Sequence, residues 1–126
     1  MREAIHADRP TGLPFSAGVR GPGVLYLSGQ VGLDPANGRL IPGDVAAQTA
    51  RTLDNIRALL ESVGSSLDDV LRVGVYLTSM ESFGAMNEVY ARYFRHPFPA
   101  RTTVAVRELP MGAAVEIEMT VADRRM

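Results

Sequence analysis

Three charged side chains in the last quarter of the chain lie in alternating stretches and mark where to look for chemistry: Arg101, Glu116 and Glu118. Arginine presents a planar, permanently charged fork that matches a carboxylate in two-pronged geometry. A glutamate held in a partly desolvated place can pass a proton to and from water. The residues around them alternate with the period of a half-buried strand. Thr102, Val104 and Val106 fall on one face, and Arg101, Thr103, Ala105 and Arg107 on the other. Further on, Val115, Ile117, Met119 and Val121 form an apolar face, with Ala114, Glu116, Glu118 and Thr120 opposite. Leu109–Pro110–Met111–Gly112 reads as the turn between the two. The expectation is a hairpin with one apolar face, its second face carrying the arginine and both carboxylates. The register does not set Arg101 directly opposite Glu116. On residue type alone, the two serve equally well as an interface ion pair.

Elimination narrows the chemistry. All thirteen basic residues of the 126 are arginine, so no side-chain amine exists for a Schiff base. Without cysteine there is neither a thiolate nucleophile nor a thiolate metal site. The two histidines, His6 and His96, have no second histidine at ligand spacing, which argues against zinc and for no metal site. Carboxylates, hydroxyls, arginine and backbone amides remain. A formal charge of −1, with no basic cluster beyond Arg124–Arg125, argues against nucleic acid. No apolar run reaches the length of a membrane span, and Met1–His6 lacks the apolar segment of a signal peptide. Cytoplasmic location is the expectation, and the length is that of one domain spanning residues 1–126.

The elements that must position these groups follow from periodicity and punctuation. Arg2–Ile5 reads as a short edge strand, and Arg9–Pro10 to Phe15 as a passage that prolines keep out of a helix. Ser16–Arg20 and Val24–Gln30 read as strands, with Leu25 and Leu27 facing away from Val24, Tyr26 and Ser28. Asp44 caps a helix running to about Val63, stopped by Gly64, with Val45, Thr49, Thr52, Leu53, Ile56, Leu60 and Val63 on its buried stripe. A strand follows from Val70 to Thr78, with Leu71, Val73, Val75 and Leu77 toward the core. After Ser79 a second helix is expected from about Glu81 to Tyr93, with Phe83, Met86, Tyr90 and Phe94 on its stripe and Asn87 among them. A buried amide needs partners, so Asn87 is read either as a structural bond to a loop or as an orienting group beside a site.

The order strand, strand, strand, helix, strand, helix, strand, strand implies an α+β fold, a single sheet with both helices packed on one face. The other face would carry Val24, Tyr26, Ser28, Tyr76, Arg101, Thr103, Ala105 and Glu116. That set is too apolar for plain solvation and too polar for a second core. An oligomer packing these faces together is the economical expectation.

The ordered segments Leu27–Ser28–Gly29–Gln30–Val31–Gly32–Leu33–Asp34–Pro35, Gln48–Thr49, Leu53–Asp54–Asn55–Ile56, Asn87–Glu88–Val89–Tyr90, Pro99–Ala100–Arg101–Thr102–Thr103 and Val115–Glu116–Ile117–Glu118 resemble the RidA/YjgF family of enamine/imine deaminases. The resemblance implies a chorismate-mutase-like fold and a homotrimer with clefts between subunits. It also implies hydrolysis of short-lived 2-imino or enamino acids to 2-oxo acids and ammonia, without metal or organic cofactor. Arg101 matches the arginine that grips the substrate carboxylate, and Glu116 the glutamate that positions or activates water. Ser28, Gly29 and Asn87 match positions lining or supporting the cleft. The chain departs from the pattern at Phe15, where the family often has tyrosine, and at Thr103, where many members have cysteine. Both keep their places in the expected substrate-binding set. Two readings of other classes stand beside this one: an endoribonuclease or translation inhibitor, and a non-catalytic binder of small carboxylates.

Overall fold

The computed structural model describes residues 2–6 and 11–124. Met1, Arg9, Pro10 and Arg125, named above, lie outside them. The chain order is β1 (Glu3–Ile5), β2 (Gly18–Gly21), β3 (Val24–Gln30), α1 (Val45–Ser62), β4 (Val70–Leu77), α2 (Phe83–Tyr90), β5 (Ala100–Ala105) and β6 (Val115–Ala122). The six strands form one mixed sheet in the order β1-β2-β3-β6-β4-β5, and both helices pack on one face, as the sequence implies.

α1 forms where its cap and stripe place it. The Asp44 carboxylate accepts the Ala47 amide at 3.0 Å, satisfying one of the free N–H groups of the first turn. Gly64, at φ 81°, takes the left-handed conformation that ends the helix. Leu53, Ile56 and Leu60 are fully buried against the sheet. Two threonines share that stripe without cost, because Thr49 Oγ1 donates to the Val45 carbonyl and Thr52 Oγ1 to that of Gln48.

The opposing layer is built around β6, whose Val115, Ile117, Met119 and Val121 are all buried. Clearing water from such side chains stabilises the fold by about 1.5–3 kcal/mol each. α2 is shorter than its stripe implies, since a 3-10 turn at Met80–Ser82 precedes it and it ends at Tyr90. Phe83, at its first position, is partly exposed rather than core.

Two expectations about the sheet are corrected. β5 does not form a hairpin with β6. It pairs in parallel with β4, and β4 separates the two. The turn at Pro110–Gly112 therefore carries the chain past the end of β4 rather than folding β6 back on β5. In β4, Leu71 is 53% exposed while Val70 is buried. A register shift between Val70 and Arg72 inserts one residue, and such a bulge reverses the face of what precedes it.

Candidate active site

The register of β5 decides where the arginine lies. Arg101 aligns with Val73, Thr103 with Val75 and Ala105 with Leu77, and those three β4 residues are fully buried on the helix side. Aligned residues point the same way, so Arg101, Thr103 and Ala105 lie on the helix face and not on the open one. Thr102 and Val104 take the open face, beside Gly74 and Tyr76. Glu116 aligns with Tyr76 and Glu118 with Gly74, which puts both carboxylates there too. The sequence expectation of Arg101 and Glu116 on one face is thus overturned. Two inter-strand spacings and three residue ranks separate them, on the order of 14 Å through the sheet.

The arginine half sits at the sheet edge under α2. The Arg101 guanidinium carbon lies 4.7 Å from the Tyr90 ring centroid and 5.8 Å from that of Phe83. Stacking on aromatic faces holds the fork flat and takes little of its hydrogen-bonding capacity. A cavity of about 310 Å³ opens beside it, lined by Asn87, Tyr90, Ala91, Phe98, Pro99 and Arg101. Asn87 Oδ1, Thr103 Oγ1 and the Tyr90 hydroxyl are buried without an aligned hydrogen bond among the described residues. Burial pushes the Tyr90 hydroxyl above its ordinary pKa, and the adjacent Arg101 charge opposes that rise.

The carboxylate half lies on the open face, where β3 and β6 meet. A register shift between Leu27 and Gln30 gives β3 one extra residue. Within that bulge the Ser28 hydroxyl donates to the Ser16 carbonyl at 2.6 Å, and its amide bonds Ala17 O at 2.9 Å. Ser28 thereby ties the bulge to the segment carrying Phe15, whose ring is half exposed. Glu116 lays its carboxylate against Gly29, where a β-carbon would stand 2.9 Å from Glu116 Cδ. Only glycine leaves this room. Burial first, and the neighbouring Glu118 second, raise the Glu116 carboxyl above the usual carboxylate range.

The structure thus sorts the expected residues into Arg101, Asn87 and Thr103 on one side and Glu116, Gly29 and Ser28 on the other, with Phe15 in the loop just before Ser16. Sequence reading missed several supports. Gln48 is buried, donates to the Gly43 carbonyl at 3.2 Å and accepts the Ala114 amide at 2.8 Å, fixing β6 two residues before Glu116. Asn55 Nδ2 donates to Leu33 O at 2.7 Å, holding the loop that leaves the bulge. Polar residues falling on or beside a helix's apolar stripe were the available signal. Tyr90 was read as packing alone.

Known proteins resemble this chain along nearly its whole length. The family model described as Endoribonuclease L-PSP matches residues 6–123. A RutC family protein of Pyrococcus horikoshii is 44% identical over 121 residues, covering 94% of this chain and 95% of that protein. A protein of Mus musculus named 2-iminobutanoate/2-iminopropanoate deaminase is 41% identical over 105 residues, covering 83% and 78%. The crystal structure of RidA from a Psychrobacter species superposes with a TM-score of 0.88 at 36% identity, covering 96% and 99%. With these matches along nearly its whole length, the chain belongs to the Endoribonuclease L-PSP family, the RidA/YjgF family that its sequence resembles.

Proposed function

We propose that this protein hydrolyses reactive 2-imino and enamino acids, such as 2-iminopropanoate and 2-iminobutanoate, to 2-oxo acids and ammonia. The carrying observation is the split of the expected residues between two faces, each half incomplete alone. A cleft between copies, one giving its Arg101 edge and the next its Glu116 face, assembles both. A homotrimer with three such clefts is the assembly proposed, and the partly exposed Tyr26 and Val104 are apolar surface for it to cover.

In that cleft Arg101 grips the substrate carboxylate in two-pronged fashion, leaving the imine carbon facing the Glu116 of the next copy. With the imine nitrogen protonated, water attacks that carbon as Glu116 takes its proton, and the π electrons of the C=N bond pass to nitrogen to leave a neutral amine. Glu116 then returns the proton to the amine. The C–N bond breaks, ammonia departs, and loss of the last hydroxyl proton to solvent leaves the 2-oxo acid. Acid–base help of this kind is worth roughly 10²–10⁴-fold, and a carboxylate raised toward working pH supplies it better.

The test generates the imine in situ with an amino-acid oxidase and follows its loss against semicarbazide trapping, with sedimentation on the same preparation. Accelerated loss by an oligomer is expected. Binding of 2-oxobutanoate without accelerated loss would leave a carboxylate-binding protein, and an active monomer would refute the shared cleft.

A further inference from the structure

Glu118 has no part in the steps above, yet it is held from two sides. The Tyr76 hydroxyl donates a hydrogen bond to Glu118 Oε1. The side chain lies across Gly74, where a β-carbon would come within 2.8 Å of Oε1 and 2.9 Å of Cγ. Tyr76 itself stands opposite Glu116 in the β4–β6 register, so its phenol crosses diagonally from the rank of Glu116 to that of Glu118. The two carboxylates share one face of β6, with their Cα atoms roughly 7 Å apart.

We propose that Glu118, clamped by Tyr76 over Gly74, is a positioning residue for Glu116: a fixed negative charge that makes the neighbouring carboxylate a stronger proton acceptor toward water. The inference rests on the hydrolytic reading. A hydrogen bond donated to a carboxylate favours its ionised form, and an ionised neighbour disfavours a second charge. The same bond, followed by burial and the Glu118 charge, raises the Tyr76 hydroxyl above its ordinary pKa. The other groups facing this pair are accounted for. β4 adds Arg72, whose guanidinium donates to Thr102 Oγ1 at 3.2 Å and whose positive charge weakens the effect. β3 adds Tyr26 two ranks from Glu118, while β5 shows Ala100, Thr102 and Val104 on this face, none of them charged.

At about 7 Å, with the screening of a half-exposed site, one such charge moves a neighbour's midpoint by roughly half to one pH unit. The experiment titrates the side-chain carboxyl carbon of Glu116 by NMR in the full chain, its Glu118→Gln variant and its Tyr76→Phe variant. Imine hydrolysis is measured across the same pH range. The Glu116 midpoint is expected to fall by roughly half to one unit in Glu118→Gln and by less in Tyr76→Phe, with the acid limb of hydrolysis moving in step. Tyr76→Phe keeps both carboxylates and carries the test should Glu118→Gln not fold. An unmoved midpoint beside normal hydrolysis overturns the positioning role alone. A midpoint that moves in a protein hydrolysing no imine at any pH overturns the proposed function, and the positioning role with it.

Discussion

Replacing Gly29 by alanine separates the seat of Glu116 from the stability of the fold. The backbone at Gly29 is outside the positive-φ region, so alanine is sterically acceptable to the main chain. The new methyl carbon would stand 2.9 Å from Glu116 Cδ and nearer still to its Oε2. Ordinary carbon contacts begin near about 3.5 Å, so the carboxylate must retreat by about 1 Å or somewhat more. It is the free end of a flexible side chain and can swing aside. Loss of stability is therefore small, and the reduced freedom of the unfolded chain offsets it by about 0.4–1 kcal/mol. Catalysis has no such slack, because a 1 Å error in a reacting group costs on the order of 10²-fold. The expected result is a melting temperature within a few degrees of wild type (about 1 kcal/mol) and imine turnover reduced roughly 10–100-fold. Gly84→Ala, on α2 with open space around its β-carbon, is the control and should stabilise by about 0.5–1 kcal/mol without touching turnover. Wild-type turnover in a folded Gly29→Ala protein would refute the claim that this clearance seats a working carboxylate. A collapse in melting temperature would show instead that Glu116 cannot move aside.

Arg101→Lys keeps the charge but loses both the fork and the stacking on Tyr90, so affinity for 2-oxobutanoate should fall roughly ten- to a hundredfold by calorimetry, with sedimentation unchanged. Near-normal affinity would remove the two-pronged grip. Glu116→Gln should abolish most turnover and yet be the more stable protein at neutral pH. With its pKa raised in the folded state, Glu116 binds its proton more tightly folded than unfolded, so wild-type stability falls as pH rises from the unfolded value of about 4.5 through the raised one. Urea denaturation at several pH values should show that decline in wild type and its absence in the glutamine variant; parallel pH profiles would contradict it.

Local signals carried much of this fold. Asp44, the apolar stripe to Leu60 and Gly64 delimit α1 because a helix is set by neighbours three and four residues away. Leu25, Leu27, Ile117 and Val121 reveal their buried face by alternation alone. Alternation gives parity, however, and not the partner. Arg101 follows the helix face because β5 aligns with β4, a pairing across some thirty residues that no local pattern of Thr102–Val106 contains. Leu71 fails for a related reason, since one inserted residue reverses the count. The family match named Arg101, Glu116, Gly29 and Asn87 without placing them. Tyr76 and Tyr90 escaped notice because an aromatic at strand or helix spacing reads as packing until its hydroxyl or ring face is seen against a charge.

The position of β6 has a consequence for synthesis. The last strand in chain order is the one that joins β1–β3 to β4–β5, and neither group has another strand connecting them. A ribosome therefore makes both flanks of the sheet before it makes the middle. Until Val115–Ala122 emerges, β3 and β4 each expose an unpaired edge beside apolar side chains, a template for pairing with the wrong chain. A nascent chain stopped before Glu108 should thus be protease-sensitive and chaperone-bound, and protection should appear in one step once β6 clears the exit tunnel.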